Sequence, residues 1–187
     1  MKLVKIIVLV LVCFQLFSCK EPQARMPISH SSGTFMKESV DRNKILIAKE
    51  EKAIQKYIKN DTTVNYLSTK KGFWYGFSNK VENDSILPKR GDFVKFEYEV
   101  SDLNDNPIYT KEELGEISYT VDKQNIMSGL REAIKLMHKS ESATFLFPSH
   151  LGFGYHGDNK KIGTNLPLVC KVTLLDIKKE TKTPTNK

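Results

Sequence analysis

The spacing of hydrophobic residues changes along this chain, and the first regular pattern has the period of a helix. Between residues 36 and 60, apolar side chains recur every three or four positions among lysines and glutamates, which predicts one amphipathic helix of about six turns. The apolar positions are Val40, Ile47, Ala48, Ile54, Tyr57 and Ile58. Such a stripe must be covered by the rest of the domain, by the same helix of a second copy or by a partner protein, and the sequence does not choose between them.

After residue 60 the period becomes two. From Val94 to Val100, and again from Ile117 to Val121, apolar and polar residues alternate, as expected for half-buried antiparallel strands. Shorter extended segments are predicted at residues 72–79, 107–110, 141–147 and 168–177. One helix interrupts them, with Asn125 as its N-cap and apolar positions from Ile126 to Met137. Residues 61–178 are therefore predicted to form an α+β domain, in which an antiparallel β-sheet wraps around one short helix.

The N-terminus has the pattern of an export signal. Two lysines precede an apolar run from Ile6 to Phe17 that is broken only by Gln15, and this run is shorter than the roughly 20 residues that a membrane-spanning helix needs. The segment Leu16-Phe17-Ser18-Cys19 resembles the lipobox of bacterial lipoproteins, in which the chain is cut before the cysteine and the thiol is acylated. We therefore expect residues 1–18 to be a removable signal peptide and Cys19 to carry lipid.

Residues 19–35 are rich in proline, serine and glycine, which predicts a flexible tether between this lipid and the folded part. Lysine rather than aspartate follows Cys19. By analogy with lipoprotein sorting, this favours an outer-membrane lipoprotein that faces the periplasm.

Charge and cysteine content narrow the function classes. The formal charge of +7 becomes +5 when the two lysines of the signal are removed, and much of the excess lies at residues 179–187, a predicted disordered basic tail. Basic and aromatic residues do not interleave, so no nucleic-acid partner is expected.

Cys13 leaves with the signal and Cys19 is expected to be acylated, which leaves Cys170 without a disulfide partner. Its apolar surroundings predict a buried, inert thiol.

Two other patterns bear on the chemistry of the chain. Gly152 to Gly157 match G-x-G-x-x-G, but a dinucleotide site needs a helix after this motif, and the residues that follow it, up to Pro167, have the pattern of a loop. The four histidines, His30, His138, His150 and His156, lack the regular spacing of metal ligands. No metal site is expected.

Several motifs, in order, resemble the FKBP-type peptidyl-prolyl cis-trans isomerases over about residues 70–178. They are Gly91-Asp92-Phe93-Val94 with Tyr98, the run Ile126 to Ala133, the run Pro148 to Gly154, and the segment Leu168 to Leu175. The resemblance implies an isomerase of X-Pro bonds that acts on proline-containing polypeptides and needs no cofactor or metal. The lipid cysteine and the long preceding helix resemble a narrower group, the FKBP-type lipoproteins associated with gliding motility in Bacteroidetes.

The resemblance also implies which residues form the pocket. The catalytic positions would be Tyr98, Tyr109, Phe153 and Met127, the last through its backbone N–H. The substrate-binding positions would be Ile117, Tyr119, Ile126, Leu130 and Ile162. Periodicity alone would place most of these side chains in the core.

Four positions depart from the family's pattern: Thr110, Leu130, Phe153 and Cys170. They predict reduced isomerase activity and weak binding of the family's macrolide inhibitors. Two other functions stay open on the sequence. One is a peptide-binding chaperone without turnover, and the other is a structural lipoprotein of a membrane complex that uses helix 36–60 for dimerisation or docking.

Overall fold

A computed structural model describes residues 33–82 and 86–180 of the chain. The predicted signal peptide, the lipid-bearing Cys19 and nearly all of the predicted tether lie outside these residues. Backbone contacts separate the chain into two compact units, Met1–Glu38 and Ser39–Lys187. The sheet and the short helices all belong to the second unit, and its fold is described below.

The described residues contain a long helix followed by an α+β domain. Helix α1 spans Gly33–Asn60, α2 spans Lys111–Leu114 and α3 spans Ser128–Ile134. The strands are β1 (Leu67–Ser68), β2 (Trp74–Asn79), β3 (Phe93–Ser101), β4 (Pro107–Tyr109), β5 (Ile117–Thr120), β6 (Ser142–Phe147) and β7 (Leu168–Lys178). A 3₁₀ turn at Ser149–Leu151 follows β6.

The seven strands form one antiparallel sheet in the order β1-β2-β6-β7-β3-β4, and β5 pairs with the first half of β3. Helix α3 packs against one face, where a large cluster includes Phe73, Phe96, Phe145, Phe147, Ile134 and Met137. The helix lies close to β6, because a Cβ on Gly129 would be 2.6 Å from the Phe147 ring. The predicted fold class, an antiparallel sheet wrapped around one short helix, is confirmed.

The opposite face of the sheet is covered by the second half of α1. Ile54 has no exposed surface and forms a second cluster with Leu146 of β6 and Val169 of β7. Side chains alternate along a strand, so Leu146 points away from the cluster that contains Phe145 and Phe147. The sequence left three possible partners for the apolar stripe of α1. In the second half of the helix, the partner is the sheet of the same domain. Near the start of the helix, Met36 and Val40 remain 60% and 45% exposed.

The helix boundaries and the start of the tail differ from the sequence predictions. Helix α1 begins at Gly33 rather than at residue 36. The N-cap of α3 is Met127 rather than Asn125, and it makes no side-chain capping bond. The predicted disordered tail also begins too early, because the Glu180 N–H donates a 3.0 Å hydrogen bond to Asp92 and the Lys179 ammonium lies 3.3 Å from the same carboxylate. Residues 181–187 lie outside the described part.

Candidate functional site

One cleft of about 220 Å³ opens at the edge of the sheet where β3, β4 and α2 meet the loops after β6. Its walls are mostly aromatic and aliphatic: Tyr98, Val100, Tyr109, Leu114, Phe153, Asp158, Lys160 and Ile162. A larger groove of about 900 Å³ lies by the end of α1 and the 102–106 turn, but polar and charged side chains predominate in its lining. Small-ligand sites are mostly apolar with a few placed polar groups, so the smaller cleft is the better candidate.

Strand and turn geometry place the aromatic walls. Tyr98 and Val100 lie two positions apart on β3 and therefore point to the same face. Tyr109 ends β4, and Thr110 then caps α2: its hydroxyl accepts a hydrogen bond from the Glu113 N–H, and its own N–H donates to the Glu113 carboxylate. This reciprocal cap starts a helical turn directly after Tyr109, and the turn brings Leu114 to the cleft.

A carboxylate joins the two sides of the cleft. The Tyr109 hydroxyl donates a 2.5 Å hydrogen bond to Asp158 Oδ2, while Asp158 Oδ1 accepts from the N–H groups of Lys160 and Ile162 at 2.9 and 2.8 Å. Burial raises the pKa of Asp158, but these hydrogen bonds lower it by more, so the net pKa lies below its usual range. The bond to Asp158 raises the pKa of Tyr109. The pair therefore remains a neutral phenol and a charged carboxylate at neutral pH.

A lysine side chain lies beside Tyr109 on the same side of the cleft. The Lys161 ammonium lies 5.0 Å from the centre of the Tyr109 ring and 2.6 Å from Glu113 Oε1 on α2. Because these groups are partly exposed, the ion pair contributes little stability. It links α2 to the Asp158 loop beside Tyr109.

Tyr98 places its hydroxyl in the wall of the cleft. Burial, followed by the neighbouring Cys170 and Tyr109, raises the pKa of Tyr98 to about 12. Among the described residues, no hydrogen bond involves this hydroxyl. Tyr98 is therefore a protonated donor in an apolar wall, which suits the recognition of a carbonyl oxygen.

The start of α3 carries the predicted backbone donor. Within the described residues, the Met127 N–H is not used in a hydrogen bond. The Ser128 hydroxyl donates a 2.9 Å hydrogen bond to the Leu151 carbonyl, which ties α3 to the loop that carries Phe153. Met127 and Ile126 are half-buried and pack against the main core.

The structure gathers four of the predicted site residues in the cleft: Tyr98, Tyr109, Phe153 and Ile162. Ile117 is half-buried beside the core, and Leu130 is only 2% exposed. Tyr119 has no exposed surface, and its hydroxyl accepts a hydrogen bond from the Asp122 N–H. Its assignment to substrate binding is corrected, because a side chain without accessible surface belongs to the core.

Sequence reasoning missed Val100, Leu114, Asp158 and Lys160 as cleft residues. Val100 had a usable signal, since it shares its strand face with Tyr98. Asp158 had none, because its partner Tyr109 lies 49 residues earlier in the chain.

The structure also describes Cys170 and the glycine-rich motif that follows β6. Cys170 is fully buried in β7, and burial raises the pKa of its thiol far above its usual range, as expected for an inert side chain. Residues 152–158 form turns and residues 159–161 open no helix, unlike a dinucleotide-binding motif. In the described ranges no three His, Cys, Asp or Glu side chains group as metal ligands, and none of the helices there is long and apolar enough to cross a membrane.

The comparisons with known proteins agree on one family. The model of the FKBP-type peptidyl-prolyl cis-trans isomerase family matches residues 84–175. The chain is similar to peptidyl-prolyl cis-trans isomerase FKBP9 of Homo sapiens and of Mus musculus, with 27% identity over 94 residues in each case. These alignments cover 50% of this chain but only 16% of the length of either relative.

A solved structure has a similar fold. A peptidyl-prolyl cis-trans isomerase from Pseudomonas syringae pv. tomato superposes with a TM-score of 0.57 at 15% identity, covering 73% of this chain and 96% of that one. At this identity the likeness concerns the fold alone. The match of residues 84–175 to the family model shows that the domain carrying the cleft belongs to the FKBP-type peptidyl-prolyl cis-trans isomerase family.

Proposed function

We propose that this protein catalyses the cis-trans isomerisation of X-Pro bonds in polypeptides. The observation that supports this most directly is the cleft, where Tyr98, Tyr109, Phe153 and Ile162 converge as the family's motifs imply. An X-Pro bond rotates over a barrier of about 18–20 kcal/mol, because rotation breaks the amide resonance. The reaction therefore needs stabilisation of a twisted amide rather than a nucleophile.

The cleft is suited to that task. In the twisted state the amide oxygen and nitrogen carry less separated charge than in the planar state, so an apolar, water-poor wall favours the twisted state. Phe153, Ile162 and Leu114 provide such a wall. The Tyr98 hydroxyl, in the wall of the cleft, is the donor that holds a substrate carbonyl oxygen while the bond rotates. The Met127 N–H is a second donor by the family resemblance alone.

The test is the exchange rate between the cis and trans forms of short X-Pro peptides, measured by NMR with catalytic amounts of the purified protein. Acceleration proportional to protein concentration supports the proposal. Binding of the same peptides without acceleration, across several residues before proline, would instead support a peptide-binding chaperone. That alternative draws on Leu130 and Cys170, which stand where the family's pattern has aromatic residues.

We further propose that the isomerase is a lipoprotein, tethered to the outer membrane through Cys19 and acting on exported proteins from the periplasmic side. The lipobox pattern at residues 16–19 supports this. A clickable fatty acid should label the wild-type chain in a bacterial host, and Cys19→Ser should remove both the label and the membrane association. Labelling that persists in Cys19→Ser would refute the assignment.

The most specific part of this proposal is a role in gliding motility or secretion. It draws on the resemblance to gliding-motility-associated lipoproteins and on the exposed start of α1, where Phe35, Met36 and Val40 are 67%, 60% and 45% exposed. This surface suits either a second copy of the helix or a partner protein. Size measurement in solution, before and after Met36→Lys with Val40→Lys, separates a dimer from a monomer that needs a partner.

A further inference from the structure

A buried carboxylate connects helix α1 to the loop that carries Phe153. Glu50 lies on α1 and is only 4% exposed, whereas the adjacent Glu51 is exposed. Oε2 of Glu50 accepts a 2.9 Å hydrogen bond from the Ser149 N–H, and Oε1 of Glu50 accepts a 2.7 Å hydrogen bond from the Ser149 hydroxyl. Ser149 is 2% exposed and lies 99 residues later in the chain. Both carboxylate oxygens are thus used on one residue.

Ser149 passes this constraint on to the cleft. Its carbonyl oxygen accepts hydrogen bonds from the N–H groups of Gly152 and Gly154, at 2.9 and 2.8 Å. These two glycines flank Phe153, whose ring lines the cleft. The backbone on both sides of Phe153 is therefore anchored on Ser149, and Ser149 is anchored on Glu50.

The chemistry explains why a glutamate suits this position. The Ser149 N–H and hydroxyl are two donors in a site without access to water, and a carboxylate is an acceptor-only group that satisfies both. Charge-assisted hydrogen bonds of this kind are stronger than neutral ones. Removing the carboxylate would leave two buried donors without partners, so the turn at residues 149–151 would shift to reach water.

We propose that Glu50 is a positioning residue for the isomerase cleft: through Ser149 it holds the turn that places Phe153 against the substrate. This inference rests on the proposed isomerase function. It makes α1 part of the working enzyme as well as a spacer or docking element. Accurate placement matters, since a displacement of about 1 Å at a reacting site can cost on the order of 100-fold in rate.

The test compares Glu50→Ala, Glu50→Gln and the control Glu51→Ala, which removes the neighbouring exposed carboxylate of the same helix. Two quantities are measured: kcat/KM on X-Pro peptides, and the hydrogen-exchange rates of the Gly152 and Gly154 amides relative to amides in β7. Glu50→Ala should lower kcat/KM by roughly tenfold and speed exchange at both glycines, with β7 unchanged. Glu50→Gln should restore much of the activity, because its carbonyl can accept from the Ser149 N–H while its amide donates to the hydroxyl. Glu51→Ala should behave as the parent.

Three outcomes would overturn the inference. They are full activity in Glu50→Ala, unchanged exchange at Gly152 and Gly154, and a uniform rise in exchange that includes β7, since a uniform rise indicates general loss of packing. If the parent itself does not accelerate X-Pro exchange, the proposed function fails, and amide exchange in Glu50→Ala still decides whether Glu50 holds the loop. Should Glu50→Ala not fold, Ser149→Ala removes only the hydroxyl bond and should give a smaller change in the same two quantities.

Discussion

The Tyr109 hydroxyl and the Asp158 carboxylate share a 2.5 Å hydrogen bond that joins the end of β4 to the loop after β6. The family's pattern often has an aspartate directly after the loop aromatic, where this chain has Thr110. Thr110 caps α2 instead, and Asp158 brings a carboxylate to the cleft from another loop. The cleft therefore contains a carboxylate although position 110 does not supply one.

This relationship predicts energetic coupling between Tyr109 and Asp158. In a double-mutant cycle of Tyr109→Phe and Asp158→Ala, the free energies of unfolding should be non-additive by about 1 kcal/mol, because each single change already removes the shared hydrogen bond. Urea denaturation of the four proteins measures this coupling. Strict additivity would mean that the bond contributes nothing in solution.

The cleft predicts a selective loss of activity. Replacing Tyr98 and Phe153 together with alanine should lower kcat/KM on X-Pro peptides by at least about tenfold, since a donor and an apolar wall are both lost. Tyr155→Ala is the matched control, because this aromatic side chain lies in the same loop but is 73% exposed. Exchange NMR on folded variants measures the effect. Equal activity in the double variant and the control would remove these residues from the mechanism.

The packing of helix α1 implies that alanine substitutions at two of its isoleucines have different effects on stability. Ile54→Ala should destabilise the protein by about 2–5 kcal/mol, because it leaves a cavity between the helix and the sheet. Ile45→Ala, on the same helix, should change the stability by less than about 0.5 kcal/mol, since Ile45 is 71% exposed. Thermal or urea unfolding measures both. A small effect at Ile54 would mean that the second half of α1 does not pack on the sheet in solution.

The contacts of Asp92 imply that part of the free energy of unfolding depends on pH. Burial raises its pKa, but hydrogen bonds from the N–H groups of Glu180 and Lys89 and from the Lys179 ammonium outweigh this, so the net pKa is lowered. A carboxyl whose folded pKa is depressed stabilises the fold above its unfolded pKa of about 3.9, and this contribution is lost as the pH falls through the folded pKa.

Asp92→Asn should therefore cost about 1–3 kcal/mol at pH 7, and the difference from the parent should shrink below about pH 4. Urea midpoints at pH 7 and pH 3 provide the measurement. Asp41→Asn, on the exposed start of α1, should show no such difference at either pH. A deficit in Asp92→Asn that is as large at pH 3 as at pH 7 would contradict the assignment.

Local patterns predicted most of the architecture. The two-residue period from Val94 to Val100 appears in the structure as strand β3, and the long helical stripe appears as α1. The buried state of Cys170 also followed from its apolar neighbours. These features are readable because periodicity records which side of an element leaves water.

The sequence by itself therefore determined the fold class, and the family resemblance named four residues that line the cleft. Only the tertiary structure decided what covers each apolar face: Ile54 packs on the sheet, whereas Val40, on the same stripe, stays exposed. It also decided that Tyr119 is core, that Asp158 meets Tyr109 and that Glu50 meets Ser149. The physical reason is that a local pattern records that a group must be buried or paired. Its partner, 49 or 99 residues away, is fixed only when the chain closes on itself.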